Sequence, residues 1–268
     1  MKDDISSSSI ETEAVEIVRV SGDRRERKKD IVVKEAIYSI NVNGTRVAGL
    51  ACTPSDLQGL AVGFLMSERI ITSYADVQDL SVKEDECTIE VETRGNLKFS
   101  SVERIATIVS GCGSSSSARP LELLRAWKVT SELTISVSSV ISLTKEFQMA
   151  SDLFRSTGGV HSAAICKPSG IIFFRDDIGR HNAVDKVLGT CSIKGISTRD
   201  KVLLLTGRVS SDVMIKAALR EIPILVSQSA PTHLAIELAS ESGITLVGFA
   251  RGERMNIYSH EWRISSSA

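Results

Sequence analysis

Cys112 stands between Gly111 and Gly113 in the polar stretch Ser110–Ala118. Neighbouring side chains crowd a thiol there very little, and glycine opens backbone conformations closed to other residues. Arg119 and the positive end of a helix expected to begin near Pro120 would both favour the thiolate, which is the nucleophilic form. The same residue also reads as an incidental cysteine in a serine-rich loop, because a free cysteine is commonly a small buried hydrophobe. Cys52, Cys87, Cys166 and Cys191 lie in or beside apolar segments and read as core residues. No C-x-x-C pair occurs, so the five cysteines indicate neither a disulfide framework nor a four-thiolate zinc site. Any cysteine chemistry involves a single thiol.

A second group of reactive side chains falls in Asp176-Asp-Ile-Gly-Arg-His-Asn-Ala-Val-Asp-Lys186. Two carboxylates ahead of a helix are good capping chemistry. The alternative is a polar cluster of Arg180, His181 and Asp185 facing a site, with His181 and Asp185 one helical turn apart. His161 reads as a hydrogen-bonded core histidine. Metal chemistry is not signalled: H-E-x-x-H, H-x-E with P-C-x-x-C and calcium-loop spacings are all missing from the sequence. Nor does the chain contain G-x-G-x-x-G, G-x-x-x-x-G-K-[ST] or G-x-S-x-G, the marks of common nucleotide sites and of the serine-hydrolase elbow.

The elements that must position these residues follow from periodicity. Tyr38-Ser-Ile-Asn-Val-Asn-Gly-Thr-Arg-Val alternates at the strand period around Asn43-Gly44, a hairpin signal. Leu57 to Met66 has helical spacing. Strands are expected around Cys87–Val91 and Ile105–Val109, and helices over Pro120–Trp127 and Leu143–Phe154. Strands His161–Cys166 and Ile171–Arg175 and a helix Gly179–Leu188 follow. The chain then alternates: strand 202–206, helix 212–220, strand 224–227, helix 232–242 and strand 244–249. This β-α-β-α-β run predicts parallel pairing with helices packed on the sheet. In open sheets of this kind ligands sit beyond the carboxyl ends of the strands. Three loops meet that description, Gly207–Ser211, Gln228–Pro231 and Ala250–Arg254, and together they form an anion-facing rim with guanidinium groups at Arg208, Arg251 and Arg254.

The 268 residues fit one large domain or two smaller ones. With 32 Lys+Arg against 33 Asp+Glu, a broad nucleic-acid or anionic-membrane surface is disfavoured. No apolar run reaches the roughly 18–20 residues of a membrane span, and the first residues lack a signal-peptide core, so the expected location is cytoplasmic. Residues 1–30, with a serine tract and the charge run Asp23–Asp30, are expected to be a mobile or loosely attached arm.

Six blocks in order are similar to the FdhD family, the formate dehydrogenase accessory sulfurtransferases. They are Leu60-Ala-Val-Gly-Phe-Leu-Met-Ser-Glu-Arg-Ile-Ile71, Ser110-Gly-Cys-Gly113, Thr157-Gly-Gly-Val-His-Ser-Ala163, Asp177-Ile-Gly-Arg-His-Asn-Ala-Val-Asp-Lys186, Ser229-Ala-Pro-Thr232 and Val247-Gly-Phe-Ala-Arg-Gly252. The similarity runs from about Tyr38 to Tyr258. It implies a sulfur relay, in which a cysteine desulfurase loads a persulfide on Cys112. The sulfur then passes to the molybdenum bis-molybdopterin guanine dinucleotide cofactor, or its tungsten analogue, destined for formate dehydrogenase. It also implies a cofactor-binding stretch at Phe249, Ala250, Arg251, Gly252, Glu253 and Arg254, and no permanently bound metal.

The implied architecture is α/β. A smaller α+β domain over residues 31–130 ends in the Cys112 loop, and a larger cytidine-deaminase-like α/β/α domain with a mostly parallel sheet covers residues 131–268. A homodimer would suit a cofactor with two pterin arms. Many family members carry C-G-x-C, whereas here Ser115 replaces the second cysteine, which excludes a two-thiol shuttle at this loop. A non-catalytic cofactor-binding chaperone is the alternative function.

Overall fold

The computed structural model of the chain describes residues 9–95, 108–109 and 128–266. Cys112 and the helix expected over Pro120–Trp127 lie outside the described residues.

The valine-rich alternation of Thr12–Ser21 (β1) suits a strand, and it pairs antiparallel with Arg24–Val33 (β2) in continuous register from Thr12↔Val33 to Ser21↔Arg24. Gly22, at φ 59, makes the turn. The expectation of a loosely attached arm over residues 1–30 is corrected to this extent: residues 12–33 form a paired hairpin. At its base Lys34 pairs with Glu13 at 3.2 Å, and Val33 packs against Gly159.

Asn43 and Gly44 both take positive φ, as a tight hairpin turn demands, and join Ala36–Val42 (β3) to Thr45–Cys52 (β4). Leu57–Ser67 (α1), Val77–Lys83 (β5), Thr88–Thr93 (β6) and Ile108–Val109 (β7) complete this unit. Its five-stranded sheet runs β5-β6-β3-β4-β7, with β3–β6 and β4–β7 parallel. Leu60, Phe64 and Leu65 of α1 pack on Tyr38, Ile40, Leu50, Ile89 and Val91 of the sheet. The strand β5 had no clear signal in the sequence, because its outward residues are polar and its pairing with β6 shifts register between Val77 and Asp79.

The second unit contains Ile135–Ser136 (β8), Val137–Met149 (α2), Asp152–Thr157 (α3), His161–Lys167 (β9), Gly170–Asp177 (β10) and Arg180–Ile193 (α4). It continues through Val202–Leu205 (β11), Ser211–Leu219 (α5), Ile224–Ser227 (β12), His233–Ser242 (α6), Thr245–Arg251 (β13), Arg254–Ser259 (β14) and Ile264–Ser265 (β15). A single helix was expected over Leu143–Phe154. Two are present because Ser151 caps a new start, its Oγ accepting from the Phe154 amide at 2.8 Å.

The six-stranded sheet has the order β10-β9-β11-β12-β13-β14. Its β11–β12 and β12–β13 pairs are parallel, as the alternation predicted, and its other three pairs are antiparallel. The expectation of a mostly parallel sheet is therefore corrected to a mixed one: hairpins at β9–β10 and β13–β14 flank the parallel centre. Successive residues of the central strands point to opposite faces. Leu203, Leu205, Leu225 and Leu246 meet the helices α4, α5 and α6, while Val202, Leu204, Val226 and Val247 meet α2 through Val140, Leu143 and Phe147. The unit is a three-layer α/β/α arrangement.

Helices α1 and α4 join the two units by backbone-to-backbone contact. A Cβ at Gly63 would stand 1.9 Å from the Asp185 carbonyl oxygen, and one at Gly189 would stand 1.9 Å from the Gly59 carbonyl oxygen. Only glycine permits that approach.

Candidate functional site

Because β9 runs antiparallel to β11, its first residue His161 lies at the carboxyl end of the parallel strands, next to the loops that follow β11, β12 and β13. These loops are stitched side by side. The Val209 amide donates to the Ala230 carbonyl at 3.1 Å, the Thr232 amide to the Val209 carbonyl at 2.9 Å, and the Phe249 amide to the Ser229 carbonyl at 3.1 Å. Ser227 Oγ donates to the Gly207 carbonyl at 2.7 Å, and Arg251 Nε donates to the Gln228 carbonyl at 2.8 Å. The three loops expected to form a rim thus do form one continuous edge. Within it Gln228 Nε2 is buried without a hydrogen-bond partner among the described residues.

At one end of this edge, side chains from three segments converge on the buried Gly207. A Cβ there would lie 2.9 Å from Arg180 Cβ and 3.5 Å from His161 Nδ1. His161 Nδ1 is 3.4 Å from Thr206 Oγ1, and His181 Nε2 is 3.3 Å from Ser210 Oγ. Burial first, then Arg180 and Arg208, push the His161 pKa below the ordinary imidazole value. Burial first, then Lys216 and Arg180, push His181 down to about 4. Both rings are neutral at pH 7 and can each donate one N–H and accept at the other nitrogen.

The remainder of the Asp176–Lys186 block has a different task. Lys186 and Asp177 are fully buried and paired at 2.8 Å. The Lys186 ammonium also donates to the Thr53 carbonyl at 3.0 Å, and Asp177 accepts from the Thr53 and Gly179 amides. Asn182 donates to the Ala51 carbonyl at 2.8 Å. Asp185 accepts from Ser67 Oγ at 2.7 Å and is paired with Lys216. Since Ala51, Thr53 and Ser67 belong to the first unit, the block works as a buried polar staple between the units. The expected Arg180–His181–Asp185 cluster is divided: Arg180 and His181 face the rim, and Asp185 faces α1.

At the other end of the edge, Phe249 has φ 52, a left-handed conformation costly for a bulky residue, and its ring is 42 % exposed. The β13–β14 register shifts between Gly248 and Arg251, so Phe249 occupies a bulge that turns its ring outward. Ala250 is 2 % exposed and packs on the α2 side of the sheet, so its side chain faces the core rather than the rim. Arg251, Gly252, Glu253 and Arg254 are exposed and form the tight turn of the β13–β14 hairpin, where a longer loop was expected. The missed β14 has exposed polar residues along much of its length, which hid its alternation.

Cys52, Cys166 and Cys191 are buried. Burial pushes the Cys52 and Cys191 thiols up to about 12, and it also raises Cys166. They are core thiols, as their apolar context predicted. Cys87 differs: it is half-buried, at φ 48 in the β5–β6 turn. Among the described residues no group of three or more His, Cys, Asp or Glu could hold a metal ion, and no helix is long and apolar enough to cross a membrane.

A model of the FdhD/NarQ family matches residues 33–265. The chain belongs to the FdhD/NarQ family. A "Sulfur carrier protein FdhD" of Wolinella succinogenes is 38% identical over 257 residues, covering 94% of this chain and 89% of the relative. One from Bacillus subtilis is 34% identical over 238 residues, covering 88% of this chain and 91% of the relative. A crystal structure described as a formate dehydrogenase accessory protein, from Desulfotalea psychrophila, has a TM-score of 0.80 and 26% identity. It covers 95% of this chain and 100% of that one. The FdhD/NarQ match begins at the last residue of β2, so nearly all of the first hairpin precedes it.

Proposed function

We propose that this chain is a sulfur carrier for formate dehydrogenase, with Cys112 as the thiol that holds the sulfur. The observation that carries the reading is the family match over residues 33–265, which spans Cys112, together with relatives named as sulfur carriers over most of their length. The chemistry is thiol–persulfide exchange. The Cys112 thiolate attacks the terminal sulfur of a persulfide on a cysteine desulfurase; the new S–S bond forms as the donor's S–S bond breaks, and the donor cysteine leaves as a thiolate. The terminal sulfur then passes to the bis-molybdopterin guanine dinucleotide cofactor, carrying molybdenum or tungsten, before that cofactor enters formate dehydrogenase: the Cys112 S–S bond breaks, Cys112 leaves as a thiolate, and the reduced metal of the acceptor supplies the two electrons that turn the sulfane sulfur into a metal-bound sulfide.

The rim suits this cargo. The exposed Phe249 ring offers a stacking face for a guanine base, and Arg251 and Arg254 flank it. We read the α/β/α unit as cytidine-deaminase-like, working in the cytoplasm as a homodimer whose two rims serve the two nucleotide arms of one cofactor.

The second reading is a cofactor-binding chaperone without sulfur chemistry, which the rim alone would support. Formate dehydrogenase activation by Cys112→Ser separates the two. The relay predicts that this variant folds and binds cofactor as the wild type does but leaves formate dehydrogenase inactive; activation at the wild-type level would establish the chaperone instead.

A further inference from the structure

On the side of the molecule away from the rim, at the amino ends of β11 and β12, the described residues enclose a cavity of about 510 Å³. That volume lies within the ~300–1,000 Å³ of small-molecule sites. Both units wall the cavity. Met66 and Arg69 come from the end of α1, Leu188 from α4, Arg199 from the loop before β11, and Leu219, Arg220 and Glu221 from the end of α5. Arg220 Nη1 donates to the Thr72 carbonyl at 3.0 Å and the Tyr74 amide donates to Ser192 Oγ at 2.9 Å, so the units are tied together beside it. Met66, Leu188 and Leu219 make its wall apolar, and its charged side chains are three guanidinium groups, Arg69, Arg199 and Arg220, against the single carboxylate of Glu221.

Basic side chains at helix ends commonly serve to cap the last carbonyls. Here backbone amides do that work: the Ile70 amide donates to the Leu65 carbonyl at 2.9 Å and the Ile222 amide to the Ala217 carbonyl at 3.0 Å. Arg69 and Glu221 occupy the left-handed place after each helix that glycine usually takes, at φ 61 and φ 52. Strain of this kind concentrates at ligand clamps, and it stands on two sides of one cavity. Arg220 is half-buried, and burial lowers its pKa, the mark of a guanidinium partly withdrawn from water. Burying a cation is costly unless an anion meets it, and the nearby Glu221 carboxylate is already paired with Arg199.

We propose that this cavity between the units binds a small organic acid, its apolar body against Met66, Leu188 and Leu219 and its carboxylate or phosphate on Arg220, with the exposed Arg69 and Arg199 at the mouth. Guanidinium groups match either acid bidentately. The site lies at the far end of α4 from the rim, about 20 Å along a helix of 14 residues. It is independent of the sulfur chemistry, and a ligand there touches both units and tightens their junction.

The test is methyl NMR on the full chain with labelled methionine, the Met66 signal being assigned by its loss in Met66→Leu, together with thermal melts. The probes are phenyl phosphate, benzoate and the neutral benzyl alcohol. Phenyl phosphate or benzoate is expected to bind with a Kd at or below about 1 mM, to shift the Met66 signal while the exposed Met149 signal stays in place, and to raise the Tm. The tighter of the two identifies the acid group that the site takes, and benzyl alcohol should bind at least about fivefold more weakly. Arg220→Gln is expected to weaken the acid about tenfold or more and to leave benzyl alcohol unchanged. Glu221→Gln, which removes the carboxylate and releases Arg199, should tighten it. The exposed Arg199→Gln gives the same acid-selective loss if Arg220→Gln does not fold. The site would be overturned by an unmoved Met66 signal with both acids at about 10 mM, by equal affinity for benzyl alcohol and the acids, or by unchanged acid binding in folded Arg220→Gln, or in Arg199→Gln should the former not fold. The sulfur-carrier reading would stand in each of these cases.

Discussion

Phe249 is held in a left-handed conformation that costs about 1–3 kcal/mol for a non-glycine residue, with its ring in solvent instead of the core. The sequence shows a phenylalanine after an apolar run and nothing more, because the bulge arises from the β13–β14 register, which no local window contains. His181 was legible as a site candidate from its place in the helix, yet its protonation state depends on burial and on Lys216, 35 positions away in the chain. With a folded pKa of about 4 against 6.5 when unfolded, the unfolded chain binds more protons between those values. Stability is thus fully present above about pH 6.5 and falls as pH drops toward 4. The full shift would be worth about 3 kcal/mol, and partial solvent access brings the expected loss to about 2 kcal/mol. Urea titrations from pH 7 to pH 4.5 should show a shallower decline for His181→Gln than for wild type. Parallel curves would contradict the assignment. The comparison with the variant is needed because Asp176 and Asp177, raised by burial, act with the opposite sign at the acid end.

At the scale of elements, α1 and α4 carry the coupling between the units. Their period was readable in the sequence, and so was the β-α-β-α-β run. What could not be read was that Gly59, Gly63 and Gly189 are crossing points, and that Asp177, Asp185 and Lys186 face Thr53 and Ser67 across more than a hundred residues of chain. Tertiary partners decide whether a charged helix residue is a ligand or a staple, and single-sequence spacing does not contain them. Lys186→Met would leave Asp177 buried without its cation. Removing one partner of a buried pair typically costs about 3–5 kcal/mol, and chemical denaturation of this variant should show a loss in that range. A loss below about 1 kcal/mol would mean that the Thr53 and Gly179 amides and the Asn182 side-chain amide satisfy Asp177 without the cation.

The whole molecule separates its tasks in space. The staple and the helix crossing fix the two units, the rim opens at the carboxyl ends of the central strands, and Gly207 and Phe249 mark its two ends. The architecture class and the rim loops were legible because they follow from alternation and from the general placement of ligands in open sheets; the mixed strand order and the first hairpin were not, since antiparallel additions at sheet edges leave weak local signals. Everything in the functional reading converges on position 112 as the sulfur-bearing thiol. The direct measurement is intact mass of the full chain after incubation with a cysteine desulfurase and free cysteine, followed by peptide mapping. A single-sulfur adduct on Cys112 that is absent from Cys112→Ser is the predicted result. An unmodified Cys112, or an adduct at Cys87 instead, would contradict it.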